Sequence, residues 1–552
     1  MFQNSSWTNP PFCFLPLVLW LLASNGLAAD GDLDPSFGQD GRLLFAGEGF
    51  ATDEFRDILV QPDGKIVSFG FTFSDSLDVK VARFTDNGEF DSDFGVGGTQ
   101  VYDFGADEIA TAGLLLSDGK YFITGERRVS NESEILLMRI HADGTPDADF
   151  GTDGMQTISG GFANDILRLP DGRIIVGASV AGSADQDFAL VGLTASGSLD
   201  SDFASEGILT VDFGAIDELR RLALTLDGRI LAAGLSDTGN LLICAVSPDG
   251  LLDSGFGQDG KVILTSSELG APLGGRSTVA DVSQSVGLAV RLDGKILVGS
   301  GGSFGSNGNL DFILVRLEGN GELDSSFGEA GVSTTDLSGE NDVLADLANQ
   351  PDGKIVAVGT VFDSDFPFDP FGNVLVQRYN PDGTPDLSFG MQGWIMTDIL
   401  DGSGEADAGR SVVIQPDGKI LVGGYGPDEE ADATDATLVR YLSSFDVREA
   451  LQLLLNSFET LSPPFPNLAN LAESAERQID RGHRRAAFNV LTALRKQVRH
   501  FASLERLAPE YARRVLDLLS VIRMNVCETC QEFRYRLRDA GRFDSIPVRQ
   551  DR

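Results

Sequence analysis

Two short motifs, each written seven times in alternation, constrain this chain more than anything else in it. The first is a sharp turn with a basic residue behind it: "QPDGKI" at 61–66, then "LSDGKY", "LPDGRI", "TLDGRI", "RLDGKI" and two further "QPDGKI", the last at 415–420. Its turn residues are Asp63 and Gly64, Asp118 and Gly119, Asp171 and Gly172, Asp227 and Gly228, Asp293 and Gly294, Asp352 and Gly353, and Asp417 and Gly418. The second is "LDPSFG" from Leu33, followed by "FDSDFG", "PDADFG", "LDSDFA", "LDSGFG", "LDSSFG" and "PDLSFG", with first aspartates at 34, 91, 147, 200, 253, 324 and 386. The period of 53 to 71 residues is that of a solenoid or a propeller.

Each unit holds four short strand-like runs; in the first they are "RLLF", "DILVQ", "KIVSFG" and "VKVARF". Only the Pro-Asp-Gly turn separates the second from the third. Proline presets φ, aspartate tolerates the tight turn and glycine supplies positive φ, which together make a hairpin. Four-stranded units repeated radially describe a propeller blade. The chain opens with a lone strand, "RLLF", and its last unit, ending "ATLVRYL", lacks the strand that should follow. The first strand can therefore complete the last blade and remove the open sheet edges. A linear solenoid, the alternative, explains neither the split unit nor the absence of capping repeats. The expected fold is an all-β seven-bladed β-propeller over residues 30–443, with four-stranded blades and an N-terminal strand closing the last one. Alternating strand directions put both motifs on one face of the disc. The variable connections, longest at 265–284, 300–310, 361–373 and 426–436, fall on the other face, where a rigid scaffold usually carries binding.

These units resemble the delta-60 repeat family of bacterial secreted proteins, whose repeats carry an Asp-Gly-Lys-Ile turn and a Leu-Asp-x-x-Phe-Gly motif. The resemblance spans roughly residues 32–442 and departs locally at Tyr121 and Ala204. It implies a propeller and an exported location, and no known reaction.

The recurring positions read first as architecture. The basic turn residue (Lys65, Lys120, Arg173, Arg229, Lys295, Lys354, Lys419) is expected to pair with nearby aspartates rather than to form an anion-binding ring. The repeated phenylalanine reads as a packing plug. Arg83, Arg139, Arg316, Arg378 and Arg440, replaced by Gly192 and Ala245 in units three and four, should pair with an aspartate of the second motif. Cys244 reads as a small core residue.

Ten residues before the turn aspartates stand Asp53, Glu108, Asp217, Asp342 and Asp407, with Gly161 and Ser283 breaking the pattern. These five carboxylates are expected to ring the mouth of the central channel on the variable face and to attract a cation. Calcium is the candidate, because hard cations take several oxygen ligands; the competing reading is five solvated loop acids. No other cofactor is expected. Of three histidines only His141 lies in the ring, on the motif face, so no triad or histidine metal cluster is available there.

From Asp446 glycine nearly vanishes and apolar residues recur at three- and four-residue spacing. Four amphipathic helices over 446–526 read as a small bundle, with "SPPFP" at 462–466 and Gly482 as breaks. Leu468, Leu471, Ala475, Gly482, Ala486, Ala487, Asn489, Leu491 and Val498 carry a resemblance to the FIMAH domain of secreted bacterial proteins. That resemblance implies a non-catalytic accessory module, with Asn489 as a helix-to-helix hydrogen bond. Arg484, Arg485, Arg495, Lys496 and Arg499 make a basic face that reads as solvated, or as docked on the acidic propeller or another anionic surface. Cys527 and Cys530, beside a tail over 527–552, read as a local disulfide.

Residues 14–23, "FLPLVLWLLA", are too short to span a bilayer and read as the core of a signal peptide over 1–29. The formal net charge is −41. It is carried by the repeats, because residues 446–552 hold 18 Lys and Arg against 14 Asp and Glu while the rest hold 24 against 69. Such acidity repels a nucleic-acid backbone. The expectation is a secreted, cell-surface or periplasmic protein, monomeric and without a transmembrane segment after signal removal. It would be a non-catalytic binding or scaffold module for an extracellular protein or glycan. The alternative is an extracellular carboxylate-dependent hydrolase or lyase acting on polysaccharide.

Overall fold

The structure is a computed structural model. It describes residues 29–526 apart from 46–51, 74, 131, 183–184, 215, 270–284, 304–309, 338–340, 363–371, 401–406, 428–433, 462–463 and 505. The apolar N-terminal segment, Cys527, Cys530, the tail and most of the four long variable connections lie outside the described residues.

Seven antiparallel four-stranded sheets form a ring. In the first blade Thr52–Val60 faces the central channel, and Ile66–Phe73, Leu77–Phe84 and Thr99–Tyr102 follow outward. The middle two strands are buried almost throughout, because neighbouring blades cover both faces. Apolar clusters accordingly lie between blades: Phe69 and Val81 of the first pack with Tyr121 and Ile123 of the second. The seventh blade is composite. Ala408–Ile414, Ile420–Pro427 and Thr434–Tyr441 come from the end of the repeats, and Arg42–Phe45 adds the outermost strand. Arg42 pairs with Val439 and Phe45 with Ala436, which closes the ring.

The two motifs meet on one face as a latch between blades. In the sixth blade Arg378 Nε lies 2.7 Å from Asp386 Oδ2, and Lys354 Nζ approaches the same oxygen at 2.9 Å. The guanidinium stacks over Phe389, which is fully buried. Arg83, Arg139, Arg316 and Arg440 repeat this arrangement, each also donating to a carbonyl in the next blade's turn. Blades three and four lack that arginine, and there the turn's basic residue is itself arginine. Arg229 Nη1 reaches Asp253 at 2.9 Å and Nη2 reaches the carbonyl of Gly319 at 3.0 Å. Arg173 reaches Asp200 at 3.6 Å and the carbonyl of Pro248 at 2.9 Å. Each blade thus keeps one guanidinium between its own aspartate and its neighbour, delivered from either of two strand positions. At Gly192 the ring of Phe203 packs against the bare backbone: a Cβ there would stand 2.4 Å from it.

Four helices follow, Val447–Thr460, Pro466–Asp480, Arg484–Ser503 and Pro509–Val526. Leu454, Leu491, Val515 and Leu519 form their fully buried core. The second helix ends before Gly482, whose φ of +69° suits the left-handed turn there. The helices sit on the motif face. Asp446 caps the first helix and its N–H donates to Asp352 of the sixth turn at 3.1 Å. Arg514 donates to the carbonyls of Val290 and Leu224, both at 2.7 Å, at the ends of two channel-facing strands. Leu226 and Leu292 of the turns pack against the helical core. Docking therefore runs through Asp446, Arg514 and these leucines, while Arg484, Arg485 and Lys496 stay exposed. Asn489 is exposed too and makes no hydrogen bond between helices, because the burial stripe of its helix runs through Ala487, Leu491, Leu494 and Val498.

Candidate functional site

The helices dock at turns of the motif face; the other candidate region is the central channel. Six channel-facing strands carry a bulge, between Phe55 and Asp57, Ala110 and Ala112, Ala163 and Asp165, Leu219 and Arg221, Leu344 and Asp346, and Gly409 and Ser411. A bulge leaves one residue unpaired and re-aims its side chain. Here the extra residues are Arg56, Thr111, Asn164, Arg220, Ala345 and Arg410, and all six line one central cavity. Glu54 and Arg221 line it as well. Arg410 Nε lies 2.9 Å and Arg56 Nε 3.4 Å from Glu54 Oε1, and Arg220 Nη2 lies 2.5 Å from Glu218. Four guanidinium groups thus converge on one cavity in a ring that is otherwise strongly acidic.

One position deeper, aspartates tie neighbouring blades. Asp57 accepts from its own Ile58 N–H and from Gly113 N–H of the next blade, both at 2.9 Å. Asp165 does the same with Ile166 and Leu222, and Asp346 with Leu347 and Val412. Arg221 lies 3.5 Å from Asp346. Burial pushes the Asp57 carboxyl up to about 7 and that of Asp165 up to about 6, against the pull of Arg221. Burial also pushes Asp407 up to about 7. In the latches the order reverses: hydrogen bonds from lysine and arginine or serine outweigh burial and hold Asp147 and Asp386 down at about 2.

These shifts set a stability profile. A raised carboxyl binds its proton more readily in the folded state, so its stabilisation is complete below about pH 4 and is lost as pH rises toward 7. The depressed latch aspartates act oppositely, losing their contribution as pH falls from about 4 to 2. Thermal melts in chelator should therefore peak between about pH 4 and 5, with a lower Tm at about pH 8 and again below about pH 3. A Tm that rises steadily from pH 4 to 8 would contradict the channel assignments.

The five acids expected at the channel mouth are not gathered there. Strand pleating sends alternate residues to opposite sides, so Glu54 and Arg56 take the channel while Asp53 turns into the gap between blades. Asp53 is fully buried and accepts from Lys80 Nζ at 2.8 Å. Glu108 accepts from Arg127 Nε at 3.1 Å. Asp217, Asp342 and Asp407 fold back on their approach loops, accepting from the N–H groups of Phe213, Leu337 and Ile399 at 2.7, 3.0 and 2.7 Å. Three of the five instead join acids of the preceding blade: Glu108 with Asp78 and Asp103, Asp217 with Asp187 and Asp212, and Asp342 with Asp311 and Asp336. In each group one oxygen per residue lies within 4.8 Å of the others, and among the described residues no group holds two of the five. The partners Asp78, Asp187 and Asp311 had a signal in the sequence, an aspartate repeated as second residue of the third strand. The bulged arginines had none. Cys244 is buried in its strand, and His141 stands half-exposed on the motif face, 3.7 Å from Asp147.

Fold and site together define a β-propeller protein with helices docked on its motif face. Residues 61–94, 116–150, 169–203, 292–327, 350–389 and 415–444 match the family model of a domain of unknown function (DUF5122) described as a β-propeller. The matches take in six units and pass over the fourth. None of the curated proteins compared is significantly similar in sequence. Among solved structures, a protein of unknown function from Dyadobacter fermentans is 10% identical over 74% of this chain and 100% of its own, with a TM-score of 0.38. The polysaccharide lyase Uly1 is 11% identical over 75% of this chain and 97% of its own, with a TM-score of 0.44. Sqt1 from Chaetomium thermophilum is 13% identical over 71% of this chain and 97% of its own, with a TM-score of 0.34. Likenesses this distant carry no functional argument.

Proposed function

We propose that this is an exported, non-catalytic binding protein whose ligand enters the channel mouth on the variable face. The observation that carries the reading is the convergence of Arg56, Arg220, Arg221 and Arg410 on one polar cavity while the helices dock on the opposite face. Guanidinium forks match carboxylate and sulfate groups, so the ligand class is an acidic glycan or an acidic protein segment. Thr111 and Asn164 add neutral polar groups to the wall. The apolar segment at 14–23 supports export.

The test is binding of the full chain to immobilised acidic and neutral oligosaccharides, with Arg56→Ala and Arg410→Ala alongside. Loss of one charge-assisted contact, about 1.5–3 kcal/mol, should weaken binding roughly ten- to a hundredfold, without release of cleaved product. Binding that is indifferent to both substitutions would reject the channel as the site. Product release abolished by substituting a channel carboxylate would replace this reading with that of a hydrolase or lyase.

A further inference from the structure

We propose that the junction between the third and fourth blades binds a divalent hard cation, with calcium as the best fit, through Asp187, Asp212 and Asp217. The three come from separate elements: the third strand of the third blade, the loop leaving its fourth strand, and the start of the channel-facing strand of the fourth blade. One carboxylate oxygen from each lies within 4.8 Å of the others. Asp187 and Asp217 are only 6% and 0% exposed. Oδ1 of each is buried and has no hydrogen-bond partner, while Asp217 Oδ2 accepts from Phe213 N–H. Two buried anions with unpartnered oxygens, beside a third carboxylate, are costly unless a positive charge stands among them.

Two other junctions show what fills this place when the chain supplies its own cation. Between the seventh and first blades, Lys80 Nζ sits 2.8 Å from Asp53 and is drawn also by Asp435. Between the first and second, Arg127, paired across the hairpin with Glu108, reaches that carboxylate at 3.1 Å. The residue paired with Asp217 in the same way is Ser236, and the position matching Lys80 is Leu242. The nearby lysine, Lys261, places its Nζ 2.6 Å from the main-chain oxygen of Asp212 and over the ring of Phe213. Asp185 adds a further negative charge close by. An all-oxygen ligand set of this charge suits calcium, which completes its six to eight ligands with water, whereas zinc favours nitrogen and sulfur.

Calorimetric titration of the chelator-treated full chain with calcium chloride tests the site. The number of ions bound per chain should fall by one in Asp217→Asn and in Asp212→Asn, and the calcium-dependent rise in Tm should shrink in both. Asp212 is exposed, so its substitution leaves the core intact if Asp217→Asn folds poorly. In chelator Asp217→Asn, relieved of repulsion, should melt no lower than the natural chain. No calcium binding by the natural chain, or equal stoichiometry in all three proteins, overturns the proposal.

Discussion

A chain lacking residues 30–45 is expected to lose the folded ring rather than to form a looser one. The segment contributes the outer strand that pairs Arg42–Phe45 with Ala436–Val439. It also carries the seventh latch. Phe37 is fully buried beneath Arg440, and Asp34 accepts from Arg440 Nε at 2.8 Å. Losing a buried phenylalanine costs about 3–5 kcal/mol, and leaving a buried charge without its partner costs about as much again. Together these approach the whole stability of an ordinary domain, about 5–15 kcal/mol. The loss also bares a strand edge that invites aggregation. Size-exclusion chromatography and circular dichroism should show aggregate or unfolded chain. A monomer that melts within a few degrees of the full-length protein would mean that the ring does not depend on its closing strand.

Asp386→Ala is expected to be strongly destabilising and Asp200→Ala mild, although both alter the same motif position. Asp386 faces Arg378, which is fully buried, and Lys354. Removing it breaks a buried ion pair and leaves Arg378 to Asp30, 3.0 Å away, at a cost of up to about 3–5 kcal/mol. Asp200 faces Arg173 at 3.6 Å, with about a fifth of the arginine side chain exposed (22%). Water can replace that partner, so the expected cost is about 1 kcal/mol. Chemical denaturation of the two variants measures the difference. Equal losses would show that the latch aspartates act through their turns and not through the guanidinium.

The ring was legible because its determinants are local and repeated. Asp-Gly turns and alternating strands each work within one blade, and sevenfold repetition made their spacing, and that of the phenylalanine plug, readable. Closure was legible for the same reason: a split unit leaves a lone strand at one end and a unit one strand short at the other. The acidic positions show where such reading stops. Their recurrence was plain, but their direction depends on strand pleating and on a bulge that shifts the register between Phe55 and Asp57. No residue type marks that bulge, which carries Arg56 in one blade, Thr111 in another and Ala345 in a third. The exchange of arginine between two strand positions in blades three and four was visible as a departure. It gained meaning only when both positions were seen to reach the same aspartate and the same neighbouring turn.

What the sequence determined by itself was the number of blades, their strand order, the strand that closes them and the helical character of the C-terminal segment. These follow from turn chemistry and periodicity, which act over a few residues. What only the tertiary structure decided was which side chains meet: the arginines that share the central cavity, the carboxylates that face one another across blade junctions, and the face on which the helices rest. Those contacts join residues from different blades, and the distances between them are set by ring closure and strand register, neither of which any single stretch of the chain contains.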